Sequence, residues 1–352
     1  MTQASTSLTR TAAQITTQTA IKTPVETTPG RSCPLHYRYR TECFATPAPP
    51  ELDRLDVLYV VGGLYGNEQA LERVLALFDA ERGRKRLVFN GDFHWFDADP
   101  SVFERIQRSV LEHTALRGNV ETELAAATPG TEDEDVGCGC AYPEWVGDEV
   151  VARSNRILRK LKEAVTHAQR MALAALPMWL RADVGDFKLG IVHGDAQSLA
   201  GWGFAQEHLR HAAHRAQVHH WFELAEVDAF ACTHTCLPVF QRLHRASTLS
   251  DSESSGRWIF NNGAAGMPNF VGDGAGLLTR VASTPWRRDG RRFGIRDGDI
   301  WVDAIAVEVD RAAWHEAFLC QWPEGSDAHE SYFTRMVQGP AYSLREALRI
   351  AE

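Results

Sequence analysis

The sequence predicts an α/β protein in which a mainly parallel sheet is flanked by helices and a second sheet packs upon it. Two observations carry this expectation. From about Leu55, short β-rich apolar runs alternate with stretches of helical periodicity across short joints, the pattern of βαβ units. From Val239 onward, β-like runs at 239–243, 257–261, 277–282 and 300–309 follow one another, which predicts the second sheet.

The elements follow in order. Residues 57–61 read Val-Leu-Tyr-Val-Val and end in Gly62-Gly63, a buried strand stopped by glycine. Asn67-Glu68 opens a helix with Leu71, Val74, Leu75 and Phe78 on one face. A second strand at 86–89 precedes a second helix marked by Val102, Ile106, Val110 and Leu111. After an acidic insertion with Gly137-Cys138-Gly139-Cys140, a long helix is expected, with Leu158, Leu161, Val165, Ala168, Ala172 and Leu176 aligned and Pro177 as its stop. Strands at 187–192 and 227–232 run into His193-Gly194-Asp195 and Thr233-His234-Thr235. Ser343, three residues before Glu346, predicts a capping box and a final helix.

Composition narrows the function. The chain has 352 residues, 44% hydrophobic and 24% charged, the balance of an ordinary globular protein. Lys plus Arg is 37 against 46 Asp plus Glu, a net charge of −9, which argues against a broad basic face for nucleic acid. The apolar runs are far shorter than the roughly 20 residues that span a bilayer, so no membrane partner is expected. Seven scattered cysteines do not make a secreted disulfide framework, and the first 30 residues lack the apolar core of a secretory signal. A cytoplasmic location is therefore expected. The Thr/Ser/Gln-rich start predicts a disordered extension over 1–50, a main domain over 51–310 with an insertion around 128–180, and a helical extension over 311–352.

Five candidate strands each end in a short polar signature: Gly63-Leu64-Tyr65-Gly66-Asn67, Gly91-Asp92, Gly118-Asn119, His193-Gly194 and His234-Thr235-Cys236-Leu237-Pro238. In parallel sheets chemistry gathers beyond the carboxyl ends of the strands. Asp92, Asn119, His193 and His234 supply a mixed oxygen and nitrogen donor set suited to Mn, Fe or Zn. Any one of them alone reads as a turn residue or a satisfied core group; their common position is the signal.

The order and spacing of these signatures resemble the metallophosphoesterase (calcineurin-like phosphoesterase) superfamily, over residues 57–270 or so. Asn262-Gly263-Ala264-Ala265-Gly266-Met267-Pro268 resembles that family's segment after the last histidine motif. The resemblance implies a four-layer αββα sandwich of two mixed β-sheets flanked by helices. It also implies two metals bridged by Asp92, one of them further held by Asn119, His193 and His234. The positions implied for the other metal are Gly63, Tyr65 and Cys236, and all three have changed. One metal site is thus expected intact and its neighbour lost or rebuilt, with Tyr65 and Cys236 as possible ligands of a second site.

The implied activity is hydrolysis of a phosphate mono- or diester of a small phosphorylated substrate. A divalent ion lowers the pKa of water from 15.7 toward about 7 and polarises a phosphoryl oxygen. Val120 stands where many members of the family carry a proton-donating histidine, so leaving-group help must come from elsewhere. His94, two residues after Asp92, is the weak catalytic candidate and, with Asp97, an alternative ligand. Cys138 and Cys140 either decorate a flexible acidic loop or reach the site. Arg287, Arg288, Arg291, Arg292 and Arg296 either grip phosphate or form a solvated loop, and His208, His211, His214, His219 and His220 read as surface histidines. Trp202 is expected as a wall of the pocket. The rival readings are a non-catalytic relative that keeps one metal, and a thiol-dependent metal or redox role centred on Cys236, Cys138 and Cys140.

Overall fold

The computed structural model describes residues 34–126, 137–144, 146–243 and 256–350. Its first sheet contains β1 (Val57–Val61), β2 (Lys85–Asn90), β3 (Thr114–Leu116), β9 (Gly276–Ala282), β10 (Arg291–Asp297) and β11 (Ile300–Val307), in the order β10-β11-β9-β1-β2-β3. The second contains β4 (Trp179–Val184), β5 (Phe187–Val192), β6 (Ala229–Cys232), β7 (Val239–Leu243), β8 (Arg257–Asn261) and β12 (Leu348–Arg349), in the order β12-β7-β8-β6-β5-β4. Both are mixed. β1, β2 and β3 run parallel and β9 pairs antiparallel with β1, while β5, β6 and β8 run parallel with β4 antiparallel at the edge.

Strand alternation divides the core. Leu58 and Val60 of β1 face inward, where they meet Leu189 and Ile191 of β5 and Ala229 and Ala231 of β6 between the sheets. Val57, Tyr59 and Val61 point the other way, into a layer with Val74 of α1 (Glu68–Asp79), Phe103 and Ile106 of α2 (Pro100–Leu111) and Leu124 of α3 (Asn119–Ala126). That layer also takes Ile157 and Leu161 of α4 (Asp148–Glu163), Leu173 of α5 (His167–Ala174) and Phe318 of α7 (Arg311–Gln321). On the far side, Val218, Trp221 and Phe222 of α6 (Ala212–Ala225) pack on Phe230 and Ile259. The result is helices, sheet, sheet, helix: the expected αββα sandwich.

Several expectations are corrected. Burial begins before residue 50: Phe44 is fully buried with its ring 5.2 Å from both Phe230 and Trp179, and Tyr37 donates its hydroxyl to Glu123. Residues 1–33 lie outside the described residues, as does the acidic run 131–136. The long helix is two, because Thr166 and Gln169 form a capping box that starts α5 at His167, with three residues between it and the end of α4 at Glu163. The late strands do not form one sheet of their own; β7 and β8 join the second sheet, and β9 to β11 the first. Ser343 and Glu346 do form their capping box, yet it closes only a 3₁₀ turn, and β12 then pairs with β7. The C-terminal region therefore returns to a sheet after α7, a π turn at His329–Phe333 and α8 (Thr334–Gln338).

Candidate metal centre

Four signature turns converge beyond the strand ends. β2 delivers Asp92 through Gly91, whose φ is +78°; Asp92 itself sits at φ +52°. Among the described residues, six non-glycine positions adopt left-handed backbone, and Tyr65, Asp92, Ala141 and Cys236 belong to this neighbourhood. Such strain costs of order 1–3 kcal/mol each and collects where a site must hold an unusual geometry. Gly118, after β3, has no room for a side chain: a Cβ there would stand 2.2 Å from Asp92 Oδ1. Asn119 then opens α3, while His193 and His234 follow β5 and β6.

The donor atoms meet at short range. His193 Nε2 lies 3.3 Å from Asp92 Oδ2, 3.2 Å from Asn119 Oδ1 and 3.2 Å from His234 Nδ1. Ligand atoms about 2.1 Å from one ion stand roughly 3.0–3.4 Å apart in octahedral or tetrahedral geometry. Asp92, His193 and His234 are buried and form, among the described residues, the one cluster of three such groups within 4.8 Å.

Backbone carbonyls fix what each donor presents. His193 Nδ1 is 2.8 Å from the Asn90 carbonyl, so Nδ1 carries the proton and Nε2 of the neutral ring is a lone pair. His234 Nε2 is 3.2 Å from the Cys140 carbonyl, which leaves Nδ1 as its lone pair. Asn119 Nδ2 donates to the Cys138 carbonyl at 2.8 Å and so turns Oδ1 inward. Two imidazole lone pairs, an amide oxygen and a carboxylate oxygen therefore face one another. Without a cation or an added proton this arrangement is repulsive, and with a divalent ion each donor is satisfied.

The electrostatics set the two histidines apart: without a cation, His193 is the ring that favours the added proton, and His234 is the one that stays neutral. Burial pushes the His234 imidazole down to about 4, with His193 adding to the effect, so it is neutral at pH 7. Burial also disfavours charge on His193 and Asp92, but their mutual attraction prevails, holding Asp92 below and His193 above their ordinary values. Glu121 is a support that the sequence pattern alone did not single out. Its buried carboxylate accepts from the backbone N–H of Asp92 and Gly118, both at 2.8 Å, and of His94 at 3.3 Å, tying two signature turns together.

Tyr65 and Cys236, the two residues expected at a second site, are bonded to each other. A Cβ on Gly63 would stand 2.4 Å from Tyr65 Cζ, so the Tyr65 ring fills the volume a longer side chain at 63 would need. Its hydroxyl and the Cys236 sulfur are 2.7 Å apart, and burial raises the pKa of both groups, so each stays protonated. The catalytic role expected of His94 also meets an obstacle: it is fully buried, stacked on Phe103 at 3.6 Å and bonded through Nδ1 to Asp97. Neither His94 nor Asp97 joins the cluster of Asp92, His193 and His234.

Cys138 and Cys140, in contrast, do reach the site. Both are buried, and Cys140 Sγ lies 3.3 Å from Asn119 Nδ2. Trp202 donates Nε1–H to the Cys140 carbonyl at 2.8 Å and stands edge-on to His234 at 5.7 Å, forming the expected wall. The arginine segment is ion-paired elsewhere, Arg288 with Glu81, Arg291 with Asp303 and Arg292 with Asp273. His208 and His214 bond to the carbonyls of Trp202 and Gly203. No helix among the described residues is long and apolar enough to cross a membrane.

No protein-family model and no curated protein matches the chain. Among solved structures it is similar to a metallophosphoesterase from Sphaerobacter thermophilus, at 19% identity over 82% of this chain and 100% of that one, with a TM-score of 0.52. It is likewise similar to a hypothetical protein from Pyrococcus horikoshii OT3, at 16% identity over 81% of this chain and 99% of that one, with a TM-score of 0.53. Identities this low speak for architecture alone. The chain thus has the metallophosphoesterase fold that its five signatures implied.

Proposed function

We propose that this protein hydrolyses phosphate esters with a single divalent ion of the Mn, Fe or Zn type, held by Asp92, Asn119, His193 and His234. The observation that carries the reading is His193 Nε2, a buried lone pair faced at 3.2–3.3 Å by Asp92, Asn119 and His234. When bound, such an ion polarises a phosphoryl oxygen and makes a water acidic enough to attack at neutral pH. The protein's own share is to hold these donors in fixed tautomers, through Asn90, Cys138 and Cys140 carbonyls, and to wall the approach with Trp202.

Proton supply to the leaving group is the weak part. Val120 has no proton to give, and His94 is sealed by Phe103 and Asp97. The reading therefore favours esters whose leaving group departs without protonation, such as aryl phosphates or anhydrides. The test is to load purified protein with Mn²⁺, count bound ions, and measure hydrolysis of p-nitrophenyl phosphate and bis(p-nitrophenyl) phosphate. One ion per chain with turnover that Asp92→Asn abolishes supports the proposal. A non-catalytic metal-binding role is the second reading, favoured by the Tyr65 ring occupying the space beside Gly63; one bound ion without turnover on either ester would select it.

A further inference from the structure

The insertion contributes two thiols that the proposed hydrolysis does not use. Cys138 and Cys140 Sγ are 2.9 Å apart, separated in sequence only by Gly139 at φ +71°. A disulfide needs about 2.04 Å between sulfurs and Cα atoms within about 6.8 Å, a range open to residues two apart. The same tripeptide holds two of the donors described above. The Cys138 carbonyl accepts from Asn119 Nδ2 at 2.8 Å, and the Cys140 carbonyl accepts from His234 Nε2 at 3.2 Å and Trp202 Nε1 at 2.8 Å. Beside it, a cavity of about 400 Å³ lined by Ala141, Pro143 and Trp202 begins one residue from Cys140, wide enough for a small oxidant.

We propose that Cys138 and Cys140 form an oxidisable dithiol, closed to a disulfide by a hydroperoxide, and that closure loosens the grip of Asn119 and His234 on the metal. This second half rests on the metal-site reading given above. One sulfur attacks the peroxide, an S–O bond forms as the O–O bond breaks, and the leaving oxygen takes a proton to become water or an alcohol. The other sulfur then attacks the sulfenic sulfur, the S–S bond forms, the S–O bond breaks, and a second water leaves. Two thiols lose two protons and two electrons, and the peroxide is reduced. Drawing the sulfurs together pulls on the peptide groups that follow Cys138 and Cys140. Their carbonyls are the partners that orient Asn119 and His234, and losing such partners costs roughly 10–100-fold in metal affinity.

The experiment treats full-length protein with hydrogen peroxide, blocks free thiols and digests with trypsin. The peptide spanning 118–153 contains Cys138 and Cys140 as its only cysteines. The expected result is an unalkylated peptide two hydrogens lighter, together with an Mn²⁺ Kd at least about 10-fold weaker, both reversed by a dithiol reductant. Cys138→Ser should resist both changes, and Cys236→Ser, should the first variant fold poorly, should respond like the parent. Alkylatable thiols after treatment, or a closed disulfide with unchanged Mn²⁺ affinity, would overturn the proposal. Reduced protein that binds no Mn²⁺ would instead count against the metal site, and the peptide mass alone would then decide whether the dithiol closes.

Discussion

The hydroxyl of Tyr65 lies 2.7 Å from the sulfur of Cys236, and the ring that carries it covers Gly63. Three changed positions in two distant signatures thus answer one another: the short residue makes room, the aromatic fills it, and the thiol satisfies the buried hydroxyl. Introducing Gly63→Asp alone should overpack this space and destabilise the fold by about 1–3 kcal/mol, read from denaturant midpoints. Combining it with Tyr65→His and Cys236→His removes the ring and supplies three donors, and bound Mn²⁺ should rise from one ion per chain to two. If the triple variant binds no more metal than the parent, Tyr65 is not what closes the second position.

Trp202 tests whether the Cys140 carbonyl is held in place from outside the cluster. Its Nε1–H reaches that oxygen at 2.8 Å, and the same oxygen fixes the His234 tautomer. Trp202→Phe keeps an aromatic wall and removes only the donor. Titration calorimetry with Mn²⁺ should show affinity reduced about 10-fold, the low end for an orienting partner. An unchanged affinity would mean that His234 is oriented without this contact.

Strands β1, β2, β5 and β6 and the polar turns after them were legible in the sequence because each β-rich run stops at glycine or a polar turn, and a parallel sheet sends such turns to one edge; β4, β10, β12 and the order of strands in each sheet were not. The contact between Tyr65 and Cys236 was not legible, since residue identity alone does not say that a phenol and a thiol from two distant signatures will meet over Gly63. Whether Cys138 and Cys140 reach the site was not legible, because their contacts to Asn119 and His234 run through their carbonyls, and backbone groups leave no trace in residue identity. Ser343 and Glu346 predicted a cap correctly but not how little it caps; pairing of β12 with β7 ends the turn after three residues. Local signals set the starts of elements, and tertiary partners set their lengths.

Glu121 joins two signature turns from beneath. Its buried carboxylate takes N–H groups from Asp92, Gly118 and His94. Burial and the nearby Asp92 charge raise its pKa, so the group is held at some cost for the sake of these bonds. In Glu121→Gln one oxygen becomes an NH₂ donor set against backbone donors. The variant should lose about 1–3 kcal/mol of stability and bind Mn²⁺ more weakly, since Asp92 is no longer tied to Gly118. Unchanged stability would show that relaxed backbone or water takes over the role.

Far from the metal centre, Glu81 sets a pH dependence of stability. Burial alone would raise its pKa, but Arg280 at 2.8 Å, with the Tyr59 hydroxyl and Arg288 beside it, prevails and holds it below the ordinary glutamate value. A carboxyl whose folded pKa is depressed stabilises the fold fully above its unfolded pKa of about 4.3 and loses that contribution as pH falls through the folded value. Arg280 is 3% exposed, so the pair is little screened by solvent. Glu81→Gln should therefore cost about 2 kcal/mol at pH 7, in the range of hydrogen bonds to charged groups. Urea unfolding of parent and variant from pH 7 to pH 3 should show the gap constant down to about pH 5 and narrowing below it. A gap that stays constant through pH 3 would mean that packing around Arg280, rather than the Glu81 charge, supplies the stability.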